Sequence, residues 1–128
     1  MERKCFRLSV TKLSFDEATT ECLKQGATLA SVTNMKEQEF LVTMANQQLT
    51  WIGGTDRDQQ KTFSWLNLEA WNFTNWASPN QPNHKQKQDC IQMRQDGTWD
   101  DVICSKTISF ICQQNGFVGA NSKNLALN

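Results

Sequence analysis

The sequence lacks an excess of either charge. Thirteen Lys and Arg residues balance thirteen Asp and Glu. No cationic surplus is present for a nucleic-acid backbone or an anionic membrane surface. The sequence also lacks any run of about eighteen apolar residues, so no helix spans a bilayer in this chain. The start, MERKCFRLS, has no apolar signal core, and a secreted form would be mature or trimmed. Histidine occurs once, at His84. No serine or cysteine nucleophile is placed beside it by any motif, and no glycine-rich phosphate loop occurs, so the chain is not read as an enzyme. No Cys-x-x-Cys pair occurs, which argues against a zinc or thioredoxin-like redox site.

What is present is cysteine, tryptophan and side-chain amide. The chain has 128 residues, about one domain. Its five cysteines, at 5, 22, 90, 104 and 112, point to disulfides and an oxidising compartment, hence a secreted or extracellular location. Two bridges among five cysteines can be drawn many ways, and spacing does not choose. One cysteine is left over, and Cys5, near the start, is the natural candidate.

Ser14-Phe15-Asp16-Glu17 is a capping box, and Phe15, Ala18 and Cys22 follow at helical spacing before Gly26. This predicts a helix over 14–25. Asn34-Met35-Lys36-Glu37 repeats the cap, and Phe40, Leu41, Met44 and Ala45 predict a second helix over 34–46. Trp51-Ile52-Gly53-Gly54 reads as a buried strand and Phe63–Leu66 alternates weakly. Residues 67–88 form a long polar stretch without periodicity, a length that is usually functional in a compact domain. Strands resume at 90–93 and 99–104 around an Asp96-Gly97 turn, and again at 108–112. Helices segregated from strands predict an α+β fold. The five tryptophans are read as core and loop anchors.

Four segments together resemble one family: CFRLS with SFDEATTEC, WIGG, WNFTNW with a later Gln-Pro-Asn, and QDCIQM…DGTWDDVICSKTISFIC. The chain resembles a C-type lectin-like domain over residues 5–113. The resemblance implies two helices, two small antiparallel sheets and a long irregular ligand-binding loop. It places the domain at 1–114 and leaves 115–128 as a flexible tail. It implies Cys22–Cys112 and Cys90–Cys104 bridges, which close loops of about ninety and about fifteen residues. Chain entropy values these at roughly 4.6 and 3 kcal/mol. Cys5 then looks like half of an N-terminal hairpin bridge whose partner is absent, or a thiol for homo-oligomer formation.

In sugar-binding members the loop and the next strand hold calcium. Carried over by position, the metal and sugar ligands are Gln81, Asn83, Gln88, Asp100 and Asp101. Pro82 is the expected cis proline, and Trp99 holds the strand register. An auxiliary calcium site would use Asp56, Gln60, His84 and Asp89. The acids are thinned here. Gln-Pro-Asn is neither standard triplet, Gln88 stands where glutamate is usual, and only two carboxylates remain against a usual three. Weakened calcium binding is expected, since affinity follows ligand charge. Gln81 tilts the sugar expectation towards galactose-type over mannose-type hydroxyl pairs. The partners expected are glycans or glycoproteins. Two rivals stand beside this expectation, the first motivated by the thinned acids and by Lys85 and Lys87 beside the site, the second by the resemblance itself, since some antifreezes share this fold and place ice on the same loop. One is a calcium-independent domain binding a protein or anionic glycan, and the other is an ice-binding relative. Asn72-Phe73-Thr74 is an N-glycosylation sequon, expected to be partly buried within WNFTNW.

Overall fold

The capping signals set where the helices begin. A computed structural model of the chain describes residues 2–79, 81–83, 87–117 and 125–127. Helix α1 (Phe15–Lys24) starts after Ser14, whose hydroxyl accepts from the Glu17 amide at 3.2 Å while the Glu17 carboxylate accepts from the Ser14 amide at 3.0 Å. Both halves of the box are therefore made. Helix α2 (Met35–Ala45) starts after Asn34, whose side chain accepts from the Glu37 amide at 2.8 Å. This box is only half made. The Glu37 carboxylate turns instead to the Thr33 amide at 2.7 Å and hydroxyl at 2.8 Å, and to Lys4 at 2.9 Å.

The strands are β1 (Glu2–Leu13), β2 (Thr28–Leu29), β3 (Thr50–Thr55), β4 (Ser64–Trp65), β5 (Cys90–Met93), β6 (Trp99–Val102), β7 (Ile108–Phe117) and β8 (Leu125–Leu127). They run in the order β6-β5-β3-β7-β1-β8, with β2 added on β7 and β4 on β3. The fold class is the expected one. The two small sheets are joined into one mixed sheet, because β3 lies parallel to β7 at Thr50–Ser109 and Trp51–Phe110. Gly53 lets β3 lie close against the chain at β2: a Cβ there would sit 2.9 Å from the Leu29 carbonyl oxygen, and the Gly53 amide donates to the Ala30 carbonyl at 2.7 Å.

Strand β1 was not anticipated. Its apolar residues are separated by charges, and its partners lie at the far end of the chain, from Glu2–Phe117 to Leu13–Ile108. Inward–outward alternation also fails, since Cys5 and Phe6 are both buried and Val10 is exposed. Strand β7 continues past residue 114, and β8 pairs with β1 from Lys4–Leu127 to Phe6–Leu125. Residues 118–124 and 128 of the expected tail lie outside the described residues.

Cys22–Cys112 ties α1 to β7, and Cys90–Cys104 ties the start of β5 to the segment after β6. Both pairings are the expected ones. Cys5 is free and buried. Trp51, Trp65 and Trp99 are fully buried, and Trp71 and Trp76 pack against the core from its edge. The anchor reading of the tryptophans therefore holds for all five.

A polar knot fastens the start of the long loop. Glu69 accepts from Ser31 Oγ, from Asn67 Nδ2 at 3.0 Å and from Gln113 Nε2 at 3.1 Å, and pairs with Lys4 at 2.9 Å. Burial alone would raise the Glu69 pKa. The hydrogen bonds from Ser31, Lys4 and Gln113, with the Lys4 charge, outweigh it and hold the carboxyl below the usual glutamate range. A depressed folded pKa gives stability that is present above the ordinary glutamate pKa and lost as pH falls through the folded value. Glu69→Gln is expected to cost about 1–2 kcal/mol at neutral pH. The cost should shrink in acid, as measured by urea unfolding across that range.

Candidate functional site

The long loop is built outward from Trp99. Its backbone amide donates to the Asn75 carbonyl at 2.8 Å, and its carbonyl accepts from the Ala77 amide at 2.8 Å. These bonds stitch the loop to β6 in a short parallel bridge. The Trp99 ring packs edge-on against Trp65, Trp71, Phe73 and Trp76, with centroids 5.5–6.1 Å away. After Ala77 the chain turns, with the Gln81 amide donating to the Ser78 carbonyl at 3.0 Å. The Gln81–Pro82 peptide is cis. The Asn83 amide then donates to Asp101 Oδ1 at 3.0 Å, closing the loop onto β6.

Asp100 and Asp101 follow Trp99 on β6, opposite Gln92 and Ile91 of β5. Asp101 is buried and Asp100 is half-buried. Gln81 and Gln88 are half-buried, and Asn83 is exposed. Gln81 Oε1, Gln88 Oε1 and Asp100 Oδ1 are buried atoms that meet no hydrogen-bond donor among the described residues. Three of the five expected ligands thus hold an oxygen that is withdrawn from solvent and unsatisfied. Leaving a buried acceptor unpaired costs about 1–3 kcal/mol. Burial pushes the Asp100 carboxyl above its ordinary pKa, and the neighbouring Asp101 charge adds to this. A hydrogen bond with Gln92 and the charges of Arg94 and Lys106 oppose it. Keeping Asp100 ionised therefore carries a cost, which a nearby cation would offset.

The auxiliary residues are also neighbours. Asp56 is buried and its Oδ2 accepts from the Lys61 amide at 3.0 Å, while its own amide donates to the Asp89 carbonyl at 3.2 Å. The Asp89 carboxyl is raised by burial first and then by the hydrogen bond and charge of Asp56, against a hydrogen bond from Gln60 and the Arg57 charge. Asp56, Gln60 and Asp89 therefore meet. His84 and Lys85 lie outside the described residues; Lys87 is exposed. Among the described residues, no group of three or more His, Cys, Asp or Glu side chains could hold a metal ion. Any cation here would depend on amide oxygens.

Comparison with known families matches residues 11–114 to the Lectin C-type domain. The chain belongs to the C-type lectin domain family. Among curated relatives, an alpha-N-acetylgalactosamine-specific lectin of Patiria pectinifera is 31% identical, over 87% of this chain and 74% of that protein. Several other curated relatives are much longer, and the chain spans 8% of the length of C-type mannose receptor 2 of Homo sapiens, to which it is 32% identical. Among solved structures, the cow CD23 carbohydrate-recognition domain with a GlcNAc2Man3 oligosaccharide superposes with a TM-score of 0.83 at 26% identity, covering 89% of each chain. A calcium-independent type II antifreeze protein superposes at 0.81 and 28%, covering 87% of this chain and 85% of that one.

The oxygens offered by Gln81, Asn83, Gln88, Asp100 and Asp101 fit calcium in kind. They are amide and carboxylate oxygens, the hard ligands that calcium takes in sets of about six to eight. The unsatisfied oxygens of Gln81, Gln88 and Asp100 are the observation that favours the fit. The sequence reading missed the residues around Asp100. Lys106 Nζ donates to Gln92 Oε1 at 2.8 Å, and Gln92 in turn bonds Asp100. The Asp96-Gly97 turn carried the signal, because it sets the register that puts Gln92 opposite Asp100.

Proposed function

We propose that this C-type lectin domain binds a terminal sugar of a glycan or glycoprotein through one calcium ion, outside the cell. The ion would be held by Gln81, Asn83, Gln88, Asp100 and Asp101. The single observation that carries this reading is the set of unsatisfied buried oxygens on Gln81, Gln88 and Asp100. Calcium, when bound, would supply direct coordination for two sugar hydroxyls. The chain's own residues would then set which hydroxyls are accepted. With their oxygens given to the ion, the amides of Gln81 and Asn83 can only donate, and Asp100 and Asp101 can only accept. Galactose-type hydroxyls are favoured on the strength of Gln81, and the relative named for α-N-acetylgalactosamine supports that leaning. The second cluster, Asp56, Gln60 and Asp89, would add a weaker auxiliary ion; the fourth expected ligand, His84, lies outside the described residues. The test is retention on immobilised galactose-type and mannose-type sugars, with and without chelator. Chelator-sensitive retention is expected, and equal retention in chelator would refute the reading.

The carboxylate count favours a second reading, since two acids in place of three weaken any calcium site. In that reading the same loop works without calcium, on a protein, an anionic glycan or ice. It predicts binding that is insensitive to chelator and sensitive to salt, or thermal hysteresis in cold buffer.

Asn72 is proposed as an N-glycan site. Trp71 and Phe73 face the aromatic core, whereas Asn72 and Thr74 are exposed, so the sequon is more open than its tryptophan-rich setting suggested. Expression through a eukaryotic secretory pathway should give a glycosidase-sensitive mass increase. Asn72→Gln and Thr74→Ala should each abolish it, as read by mass spectrometry.

A further inference from the structure

Trp99 is held from a third direction, by a residue that no reading of the site includes. Gln38 lies on α2 and is 3% exposed. Its carbonyl oxygen accepts from the Trp99 indole at 2.9 Å, and its amide donates to the Gly97 carbonyl at 2.6 Å. The same amide lies 3.8 Å from the Met93 sulfur. Both ends of one buried carboxamide are therefore spent on the hairpin that carries Asp100 and Asp101. The packing beneath is tight: a Cβ on Gly97 would come within 2.4 Å of Val42 Cγ2 and 3.1 Å of Gln38 Nε2. The Gly97 carbonyl also accepts from Asn75 Nδ2 at 3.0 Å, where the loop begins its approach to Trp99. Helix, hairpin and loop thus meet at one carbonyl and one indole.

We infer that Gln38 is a positioning residue for the loop site, acting through Trp99 and Gly97. Its two polar ends are taken up by Trp99 and Gly97. Its effect passes along two short routes. One runs from Trp99 directly into Asp100 and Asp101. The other runs through the backbone bonds of Trp99 to Asn75 and Ala77, and on to Gln81 and Asn83. The need for such an anchor follows from the site itself. Gln81, Gln88 and Asp100 present unsatisfied oxygens that gain nothing from one another, so their placement is imposed from below. Supporting groups of this kind typically change metal affinity by about 10–100-fold when removed.

The calcium part of this inference rests on the proposed function, so the test has two readouts. The variant is Gln38→Met, which keeps the volume and removes both hydrogen bonds. A core substitution, Ile111→Val in β7, serves as the comparison for simple loss of stability. The first readout is amide hydrogen exchange in calcium-free protein. Gln38→Met should exchange about tenfold faster at Ala77, Trp99 and Asn83, while amides in β7 away from the hairpin keep their relative protection. The second is calorimetry with calcium chloride, where Gln38→Met should bind about tenfold more weakly and Ile111→Val as the parent does. If Gln38→Met folds poorly, Gln38→Glu replaces it, keeping the acceptor for the indole and losing the donor to Gly97. Uniform exchange changes in both variants overturn the inference. A parent protein that takes up no calcium removes the proposed function alone, and the exchange pattern still decides the role of Gln38.

Discussion

Gln88→Glu is expected to tighten calcium binding by roughly tenfold or more, and Asp101→Asn to weaken it by on the order of a hundredfold. The argument is one of charge. The site holds two carboxylates, and calcium affinity rises with the charge of its ligands. Gln88 Oε1 is already buried and unsatisfied, so glutamate changes the charge at that point with little change of shape. Asp101 is the more buried of the two acids, and its Oδ1 accepts from the Asn83 amide. Asparagine keeps that acceptor while removing half of the site's negative charge, so the loss reads on the cation and not on the fold. Calorimetric titration of the two variants beside the parent checks both directions. Equal affinity in all three would mean that these side chains do not share an ion.

The second large effect concerns stability. Cys22→Ala with Cys112→Ala should lower stability by about 4–5 kcal/mol, or roughly 15–20 °C in Tm. The bridge closes a loop of 90 residues, joining the first helix to β7 and so enclosing most of the chain. The Cys90–Cys104 bridge closes a loop of only 14, so Cys90→Ala with Cys104→Ala should cost about 3 kcal/mol. The two losses differ in kind as well as size. The short bridge begins at Cys90, directly after Gln88 and Asp89, so its removal should also loosen the loop end of the site. Thermal unfolding with and without calcium separates these effects.

The sequence was legible where a local signal decides local structure. Ser14 and Asn34 marked both helix starts, Asp96-Gly97 marked the β5–β6 turn, and the resemblance supplied both disulfides. It was not legible where partners lie far apart along the chain. Strand β1 forms because β7 is there to pair with it, and no periodicity in RKCFRLSVTKL announces that. The parallel β3–β7 contact, which merges two expected sheets into one, is equally non-local. At the site, residue types could be aligned with a family pattern, but not their support. Gln38 looks like an ordinary polar helix residue. Only the folded chain shows its carboxamide buried against Trp99 and Gly97. The sequon erred in the opposite sense: neighbouring tryptophans suggested burial, yet alternation along the extended segment turns Asn72 and Thr74 outward.

The most direct measurement is an isothermal titration of the parent protein with calcium chloride at neutral pH, paired with its melting temperature in chelator and in excess calcium. The account predicts weak saturable binding, on the order of 10⁻⁴–10⁻³ M, and a melting temperature that rises with calcium. No binding heat, together with identical melting temperatures in chelator and at ten times that concentration of calcium, would contradict it.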